Sequence, residues 1–152
     1  MLIRIAAALI DARLAAGRLA AAAWAALPAA WAALPAEPLA RLVLHACGVR
    51  GTGRSVPLPD GGRARVVEDP RLARYLDFMP VRPFAQTVGG WIFCRTELPE
   101  ATLRHELEHV RQWRRLGPLF LPAYLAASAE AALRGAPAYR GNRFEVAARS
   151  RE

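Results

Sequence analysis

The sequence predicts an α+β fold in which a small antiparallel or mixed sheet packs against helices. Short segments rich in β-branched and aromatic residues occur between residues 49 and 95, separated by glycine, proline and aspartate turn signals. A segment with helical periodicity follows at residues 99–116, and two further helical segments follow it. Together these observations predict one compact unit made of a sheet and the helices that cover it.

A change of composition near Val49 predicts two parts of the chain. The 152 residues suffice for one domain with a hydrophobic core. Residues 1–48 are alanine-rich and predict helices, including a short one at residues 38–47. We therefore expect an N-terminal segment at 1–48 and the main domain at 49–152. On this division, a protein that starts near Val49 would retain its functional site.

The N-terminal segment contains a tandem repeat, because residues 24–30 recur at 31–37 with one difference. Residues 19–36 carry no charge, but alanine dominates and two prolines interrupt the run. The run is too weakly apolar for a strong prediction of a spanning helix, and a signal peptide is disfavoured by charges near the start. We expect a cytoplasmic protein with optional peripheral membrane contact through residues 1–36, where tryptophans could lie at headgroup level.

The basic balance of the chain does not predict a nucleic-acid partner. The formal charge is +8, yet all 21 basic residues are arginines and they are scattered rather than clustered. This distribution indicates a coding bias more than selection for phosphate contacts. The two cysteines, Cys47 and Cys94, are too few for a disulfide scaffold, and we expect Cys94 to be a buried apolar residue in a strand.

The segment from 49 to 95 predicts the sheet. Turn residues at 59–62 separate two short strands, 55–58 and 63–67, which predict a hairpin. Asp69 and Pro70 predict the start of a short helix that ends near Phe78. Residues 86–95 predict one strand, with a bulge or a close backbone approach at its two glycines. An ordinary sheet strand and an exposed edge that binds an extended peptide are equally compatible with this pattern.

Residues 99–116 predict a helix with three sectors. It starts at Pro99 and stops before Gly117 and Pro118. At roughly 100° per residue, the sectors are an apolar stripe, a solvated face and a third sector that contains His105 and His109. The stripe comprises Leu103, Leu107, Val110 and Trp113, and the solvated face comprises Arg104, Glu108, Arg111 and Arg115. Arg114 lies near the apolar stripe without an evident reason in the sequence.

The third sector contains the most informative motif, the sequence HELEH at residues 105–109. Residues four apart lie on one helical face, so His105 and His109 can bind one zinc ion. Glu106 lies beside them, where a carboxylate can take a proton from a water held by the metal. A charged surface helix that contains these residues by chance is the simpler alternative.

A catalytic zinc site commonly has a third protein ligand. No histidine follows His109, so a downstream carboxylate must serve: Glu130, Glu145 or Glu152. Glu145 is favoured, Glu130 is the alternative, and Glu152 lies in a terminus expected to fray. Glu145 also follows Asn142 by three residues, the spacing of a capping box, and a first-turn carboxylate could serve both roles. Ala148 would allow its helix to approach the histidine helix closely.

Three segments resemble a group of small bacterial zincin-like proteins that are similar to minimal gluzincins. The segments are LRHELEHVRQ at 103–112, GPLFLPAY at 117–124 and YRGNRFE at 139–145. The resemblance covers residues 50–149 and implies a zincin-like fold, zinc ligands at His105, His109 and Glu145, and Glu106 as general base. The family more often has an aspartate in place of Gly141 and a proline in place of Arg143.

These observations together predict a zinc-dependent metallopeptidase that hydrolyses a peptide or protein substrate. Glu106 would be the general base, and zinc with a nearby donor would stabilise the oxyanion. Tyr139 and Tyr124 are the candidate donors, and Tyr139 is favoured, although both could serve in packing. The alternative is a zinc-stabilised interaction module with little or no turnover, as the small size of the chain favours. A third possibility is action at a membrane surface reached through the N-terminal segment.

Overall fold

A four-stranded mixed sheet forms the centre of the molecule. The computed structural model describes residues 36–152. The strands are β1 (Arg54–Pro57), β2 (Arg63–Glu68), β3 (Ala85–Val88) and β4 (Trp91–Cys94), in the order β1-β2-β4-β3. Both hairpins are antiparallel, and β2 pairs with β4 in parallel. The predicted α+β class and mixed sheet are confirmed.

The second hairpin corrects the prediction of one strand at 86–95. β3 and β4 are separate strands, and the residue pair that closes the hairpin is Val88 and Trp91. Gly89 has a φ of 62°, and an added Cβ there would lie 2.3 Å from the Cβ of Ala36. The two glycines therefore make a tight reversal instead of a bulge, and the alternative prediction of a close approach is confirmed at Gly89, because only glycine combines this φ with this contact.

The first hairpin and the short helix after it agree with the sequence. β1 and β2 flank the predicted turn, and Asp69 accepts a hydrogen bond from the Arg71 N–H at 2.9 Å, as a helix cap does. A 3₁₀ turn, Pro70–Leu72, leads into α2 (Ala73–Phe78). Both predictions are confirmed.

A helix from the N-terminal part of the chain covers one face of the sheet. This helix, α1 (Ala36–Ala46), matches the short helix predicted at 38–47. Its inner residues pack with α2 and with alternate strand residues in one cluster: Ala40, Val43, Leu44, Leu72, Leu76, Val67, Val88, Trp91 and Phe93. The division of the chain near Val49 stays a prediction, but residues 36–48 share this core. The repeat at 24–30 and the other calls before residue 36 lie outside the described residues.

The opposite face of the sheet is covered by α3 (Glu100–Leu116), which begins one residue after the predicted start. Val110 is fully buried against Ile92, and Leu103 and Leu107 pack at the margin of the same cluster. Arg114 lies beside this stripe because its guanidinium donates to the carbonyl of Gly61 in the first hairpin turn. The arginine therefore attaches α3 to the turn of the first hairpin.

One residue of the predicted solvated face is buried. Glu108 is 7% exposed, because Arg111 donates to its carboxylate at 2.8 Å and Arg151 lies 3.4 Å from it. The prediction of a fully solvated face was wrong at this position. Helical periodicity does not reveal that the end of the chain folds back over α3.

Two helices complete the fold. Gly117, with a φ of 55°, ends α3, and a 3₁₀ turn follows it. The next helix, α4 (Phe120–Leu133), and the short α5 (Arg143–Arg149) pack against α3 and against each other. The predicted stop and the two further helices that the sequence predicted after it are confirmed. Cys47 and Cys94 are free and buried, and for Cys94 this confirms the expectation of a buried residue in a strand.

Candidate metal centre

The structure brings His105, His109 and Glu145 together. The Nε2 atoms of the two histidines lie 3.2 Å apart. The carboxylate of Glu145, which enters from α5, lies 3.2 Å from His109 Nε2 and 3.5 Å from His105 Nε2. One potential ligand atom from each residue lies within 4.8 Å of the others, and all three residues are buried. These residues are the two histidines of the motif and the downstream carboxylate that was favoured as third ligand.

Each histidine is oriented by a second partner on its other nitrogen. His105 Nδ1 lies 2.8 Å from Glu152 Oε1, and His109 Nδ1 lies 2.8 Å from Gln112 Oε1. A carboxylate and an amide oxygen only accept hydrogen bonds, so both Nδ1 atoms carry the proton. Gln112 is fixed in turn, since its Nε2 donates to the carbonyl of Phe144 at 3.1 Å. Both Nε2 atoms therefore face the cluster and are the nitrogens available to bind a metal.

These partners are the site residues that sequence reasoning missed. Glu152 was set aside as a terminal residue, yet it contacts His105 directly. Arg104 holds it there by donating to its main-chain oxygen at 2.7 Å and to that of Arg151 at 3.0 Å. Gln112 had a usable signal, because it follows His109 by three residues and therefore lies on the same helical face.

Glu145 is held by groups that favour its charged form. Tyr124 donates a hydrogen bond to Oε1 at 2.7 Å. Burial by itself raises the pKa of Glu145, but the contacts with His105 and His109 outweigh burial and hold the pKa well below its usual range. A carboxylate that stays ionised in a buried position needs compensating positive charge or donors. Glu145 thus carries a negative charge toward the two imidazoles.

The capping-box alternative for Glu145 is wrong. Asn142 does cap α5, since its side chain accepts from the Phe144 N–H at 2.9 Å. The main-chain N–H of Asn142, however, donates to the Tyr139 carbonyl and not to Glu145. The amide of Asn142 is fully buried and donates to the Tyr124 carbonyl and to Ser128 Oγ, which join α5 to α4. The cap therefore forms without Glu145, whose carboxylate is turned to the histidines.

Glu130, the alternative third ligand, lies on the surface. Its carboxylate pairs with Arg134 at 2.7 Å and with Arg143 at 3.7 Å. These contacts hold Glu130 on the exposed side of α4, so the alternative is contradicted. Ala148, in contrast, is fully buried, as a close approach between α5 and α3 requires.

Glu106 is buried immediately beside the histidine pair. It is 5% exposed, and Thr87 of β3 donates to its carboxylate at 2.6 Å. Burial disfavours the charged form and raises the pKa of Glu106, although His109 and the Thr87 hydroxyl act in the opposite direction. Thr87 faces α3 because strand residues alternate between the two faces of the sheet. The sheet thus fixes the carboxylate that the motif places on the helix.

The donor set fits a bound zinc ion. Glu145 Oε2 is a buried oxygen with no hydrogen-bond partner among the described residues. Two imidazole Nε2 atoms face the Glu145 carboxylate, and the Nδ1 atoms of the same rings are occupied elsewhere. Buried polar atoms without partners are rare and call for an explanation, such as an ion. Two nitrogens and one carboxylate oxygen are a ligand set that zinc accepts with a position left open.

A small cleft opens beside the cluster. It has a volume of about 140 Å³ and is lined by Pro83, Phe84, Ala85, Thr102, His105, Glu106, Tyr139 and Glu152. Tyr139 is 38% exposed at this cleft, and burial together with the nearby Glu145 charge raises the pKa of its hydroxyl. Tyr124 instead contacts Glu145 directly. The two tyrosines therefore have different positions, and Tyr139 is the one that reaches the cleft.

Strand β3 lies at the edge of the sheet next to this cleft. It pairs with β4 on one side, and α3 packs close to it. Because Val88 and Trp91 close a two-residue turn, the main-chain groups of Ala85 and Thr87 point away from β4. The strand thus has an outer edge, which leaves open both interpretations from the sequence, and the residue at its start lines the cleft.

Comparison of the chain with protein-family models, with curated proteins and with solved structures finds no match. The resemblance to zincin-like proteins therefore depends on its three motifs.

Proposed function

We propose that this protein is a zinc-dependent metallopeptidase with a minimal zincin-like fold. The observation that supports the proposal is the convergence of His105, His109 and Glu145, with buried Glu106 beside them. A site that only stored or bound zinc would need the three ligands but not this carboxylate. Glu106 is also costly to bury, and Thr87 is positioned to hold it. Three metal ligands with a carboxylate base beside them are the arrangement that metal-assisted hydrolysis requires.

The roles of the residues follow from their positions. Zinc, when bound by His105, His109 and Glu145, supplies a Lewis acid that makes water acidic enough to react near neutral pH. Glu106 accepts the proton of the attacking water and delivers it to the leaving amine. Burial raises the pKa of Glu106 above that of a free carboxyl, which favours return of the proton to the leaving group. Tyr139, at the cleft, donates to the carbonyl oxygen as negative charge develops there.

The edge of β3 supplies a place for the peptide. The outward main-chain groups of Ala85 and Thr87 can form antiparallel hydrogen bonds with an extended substrate. Such a strand would pass the cleft that His105, Glu106 and Tyr139 line. The cleft volume of about 140 Å³ suffices for one side chain of moderate size. We therefore propose a peptide or an extended protein segment as substrate.

Three variants of the full chain test the metal and the base separately. Replacing both His105 and His109 by Ala should abolish stoichiometric zinc in metal analysis. Glu106→Gln should retain zinc but lose hydrolysis of a peptide library, because Gln fills the same space and accepts no proton. Glu130→Gln is the control and should match the wild type in both measurements.

The outcomes separate this function from the alternative. Zinc binding without turnover by the wild type would favour a zinc-stabilised interaction module. Retention of hydrolysis by Glu106→Gln within a factor of about three would exclude Glu106 as the general base. Full zinc retention by the double histidine variant would exclude the metal site.

A further inference from the structure

The outer face of α4 is almost entirely apolar where a surface helix normally has several polar residues, and Glu130 at its margin is the one charged side chain of this helix. Its inner face is buried through Phe120, Ala127 and Ala131. The opposite face is apolar as well and comprises Pro122, Leu125, Ala126, Ala129, Ala132 and Leu133. A surface helix of a soluble domain places polar residues opposite its buried stripe, whereas a helix that is apolar on all sides is covered by something apolar.

This face is exposed in the described part of the chain. Leu133 is 89% exposed, and Leu119, just before α4, is 67% exposed. Among the described residues, Glu100–Leu133 is the one helical stretch that is long and apolar enough to cross a membrane, by length and composition alone. Only 17% of its most apolar window is buried within the protein. We call the exposed apolar side of α4, with Leu119, the α4 surface.

Basic residues flank the α4 surface at both ends. Arg115 is exposed in the last turn of α3, just before it, whereas the neighbouring Arg114 is held by the first hairpin turn. Arg134 and Arg143 lie after it and are about 60% exposed, at 59% and 64%. These two arginines pair with Glu130, the acidic residue within α4, and so leave no net negative charge there. The α4 surface is thus an apolar strip between positive charges.

We propose that the α4 surface docks on an anionic lipid bilayer, with α4 lying in the plane of the headgroups. An apolar strip buried at the level of the acyl boundary, with flanking arginines on anionic headgroups, is the pattern of an interfacial helix. The two parts of the surface act together, because the apolar strip favours the hydrocarbon and the arginines favour the negative lipid headgroups. This surface is distinct from residues 1–36, where the sequence alone suggested membrane contact.

The geometry favours lying on the bilayer over crossing it. The 14 residues of α4 extend about 21 Å at 1.5 Å per residue, which is short of a hydrocarbon core of about 30 Å. The inner side of α4 is also bonded to α5 through Asn142. The long stretch is interrupted at Gly117 by a 3₁₀ turn, and its first half carries the buried histidines. Crossing would require this packing to come apart.

The flanking charges also favour lipid over a second copy of this chain. Two α4 surfaces packed on one another would bring the arginines of both copies close together. Like charges that face each other destabilise an interface, whereas anionic headgroups neutralise them. An apolar partner with negative charge at its rim is therefore the better fit.

Vesicle sedimentation with the full-length protein tests the proposal. The probes are phosphatidylcholine vesicles and vesicles of equal parts phosphatidylcholine and phosphatidylglycerol. The wild type should bind the anionic vesicles roughly tenfold more tightly than the neutral ones, and added salt should weaken this binding. The variant Ala126→Glu/Leu133→Glu places two carboxylates on the α4 surface and should lose roughly tenfold in affinity.

A matched control separates the surface from general charge effects. Leu42 is 58% exposed on α1, on the other side of the sheet, and Leu42→Glu should leave vesicle binding within about twofold. Thermal melts should show that both variants stay folded, since neither replaces a buried side chain. Equal binding of wild type and α4 variant would assign any membrane contact to another segment and overturn the proposal. Conversion of a dimer to a monomer by the α4 variant, without a change in vesicle binding, would assign the surface to self-association.

Discussion

The two faces of the sheet are covered in different ways. On the face under α1 and α2, the buried cluster is entirely apolar, from Ala40 to Phe93. On the face under α3, an apolar cluster around Ile92 and Val110 adjoins a group of buried polar residues. This group comprises Thr87, His105, Glu106, Glu108, His109, Gln112, Asn142 and Glu145. One face is a packing layer, and the other combines packing with a site.

The difference lies in what each face needs in order to form. Apolar burial is not directional, and it stabilises in proportion to the area removed from water. Buried polar groups stabilise nothing unless each finds a partner. Here the partners come from remote parts of the chain: Thr87 for Glu106, Arg151 for Glu108 and Tyr124 for Glu145. We expect the α1 face to control stability and the α3 face to control chemistry.

The largest expected effect comes from removing α1. A protein that starts at Val49 lacks Ala40, Val43 and Leu44, and it exposes Trp91 and Phe93. The lost apolar burial amounts to about 5 kcal/mol, which is comparable to the whole stability of a small domain. We expect this protein to be unfolded or molten by circular dichroism, whereas the sequence alone suggested that it would retain its functional site.

A protein that starts at Ala36 is the control for that truncation. It retains α1 and the hydrogen bond of 2.6 Å from Trp91 to Glu37, so it should melt cooperatively. If the protein that starts at Val49 melts within a few degrees of this control, then α1 is an appendage and the comparison of the two faces fails.

The next effect concerns the third ligand. Glu145→Gln keeps the size of the side chain but removes the charge that faces His105 and His109. Zinc affinity should fall at least tenfold, about 1.4 kcal/mol, in a competition titration with a chelator. The exposed Glu130→Gln should change zinc affinity less than twofold. Equal affinities for the two variants would remove Glu145 from the site.

A smaller effect is expected at the residue that links the sheet to the base. Thr87→Val preserves shape but removes the donor at 2.6 Å from the Glu106 carboxylate. A buried carboxylate that loses a donor costs about 1–3 kcal/mol, which should appear in urea unfolding even without an assay of activity. Thr87→Ser retains the hydroxyl and should recover most of this loss. Unfolding that is unchanged in Thr87→Val would mean that the hydrogen bond does not support Glu106.

The smallest effect is a pH dependence outside the site. Arg54 and the Leu98 N–H donate to Glu68, and they hold the pKa of Glu68 below its usual value although burial acts in the opposite direction. A lowered pKa contributes stability above the unfolded-state value, and this stability is lost as the pH falls through the folded-state value. Glu68→Gln should therefore cost about 1 kcal/mol at neutral pH and less in acid. The exposed Glu97→Gln serves as the control, and a cost that stays constant with pH would contradict the linkage.

The contrast between the faces also explains what the sequence predicted well. The spacing of apolar residues, the turn residues and the helix caps are signals between residues close in the sequence. The helix at residues 99–116 and the hairpin before Asp69 were therefore predictable. The histidine pair was predictable because both residues lie on one helix, where geometry is fixed. Glu145 was chosen over Glu130 as the third ligand on two grounds. One is its position in the first turn of a predicted helix, and the other is the resemblance of the segment at 139–145 to zincin-like proteins.

What the sequence did not predict depends on contacts between distant segments. Glu152 could not be assigned to His105, because its position is set by Arg104, 48 residues earlier in the chain. The two glycines at 89–90 permit either a bulge or a reversal, and the choice depends on pairing with β2 and on the approach of Ala36. The interpretation of Glu108 as solvated failed for the same reason, since periodicity contains no information about Arg151.

The length of α5 has a consequence for the dynamics of this protein. Seven residues are too few for a helix to be stable on its own, so α5 is ordered by what it contacts. Zinc bound between Glu145 and the two histidines would cross-link α5 to α3. Removing the metal should then raise the amide hydrogen-exchange rates of α5 well before those of α3 change. The fraction of protein with bound metal would then determine how often α5 opens locally. Amide hydrogen exchange could measure this opening without any substrate.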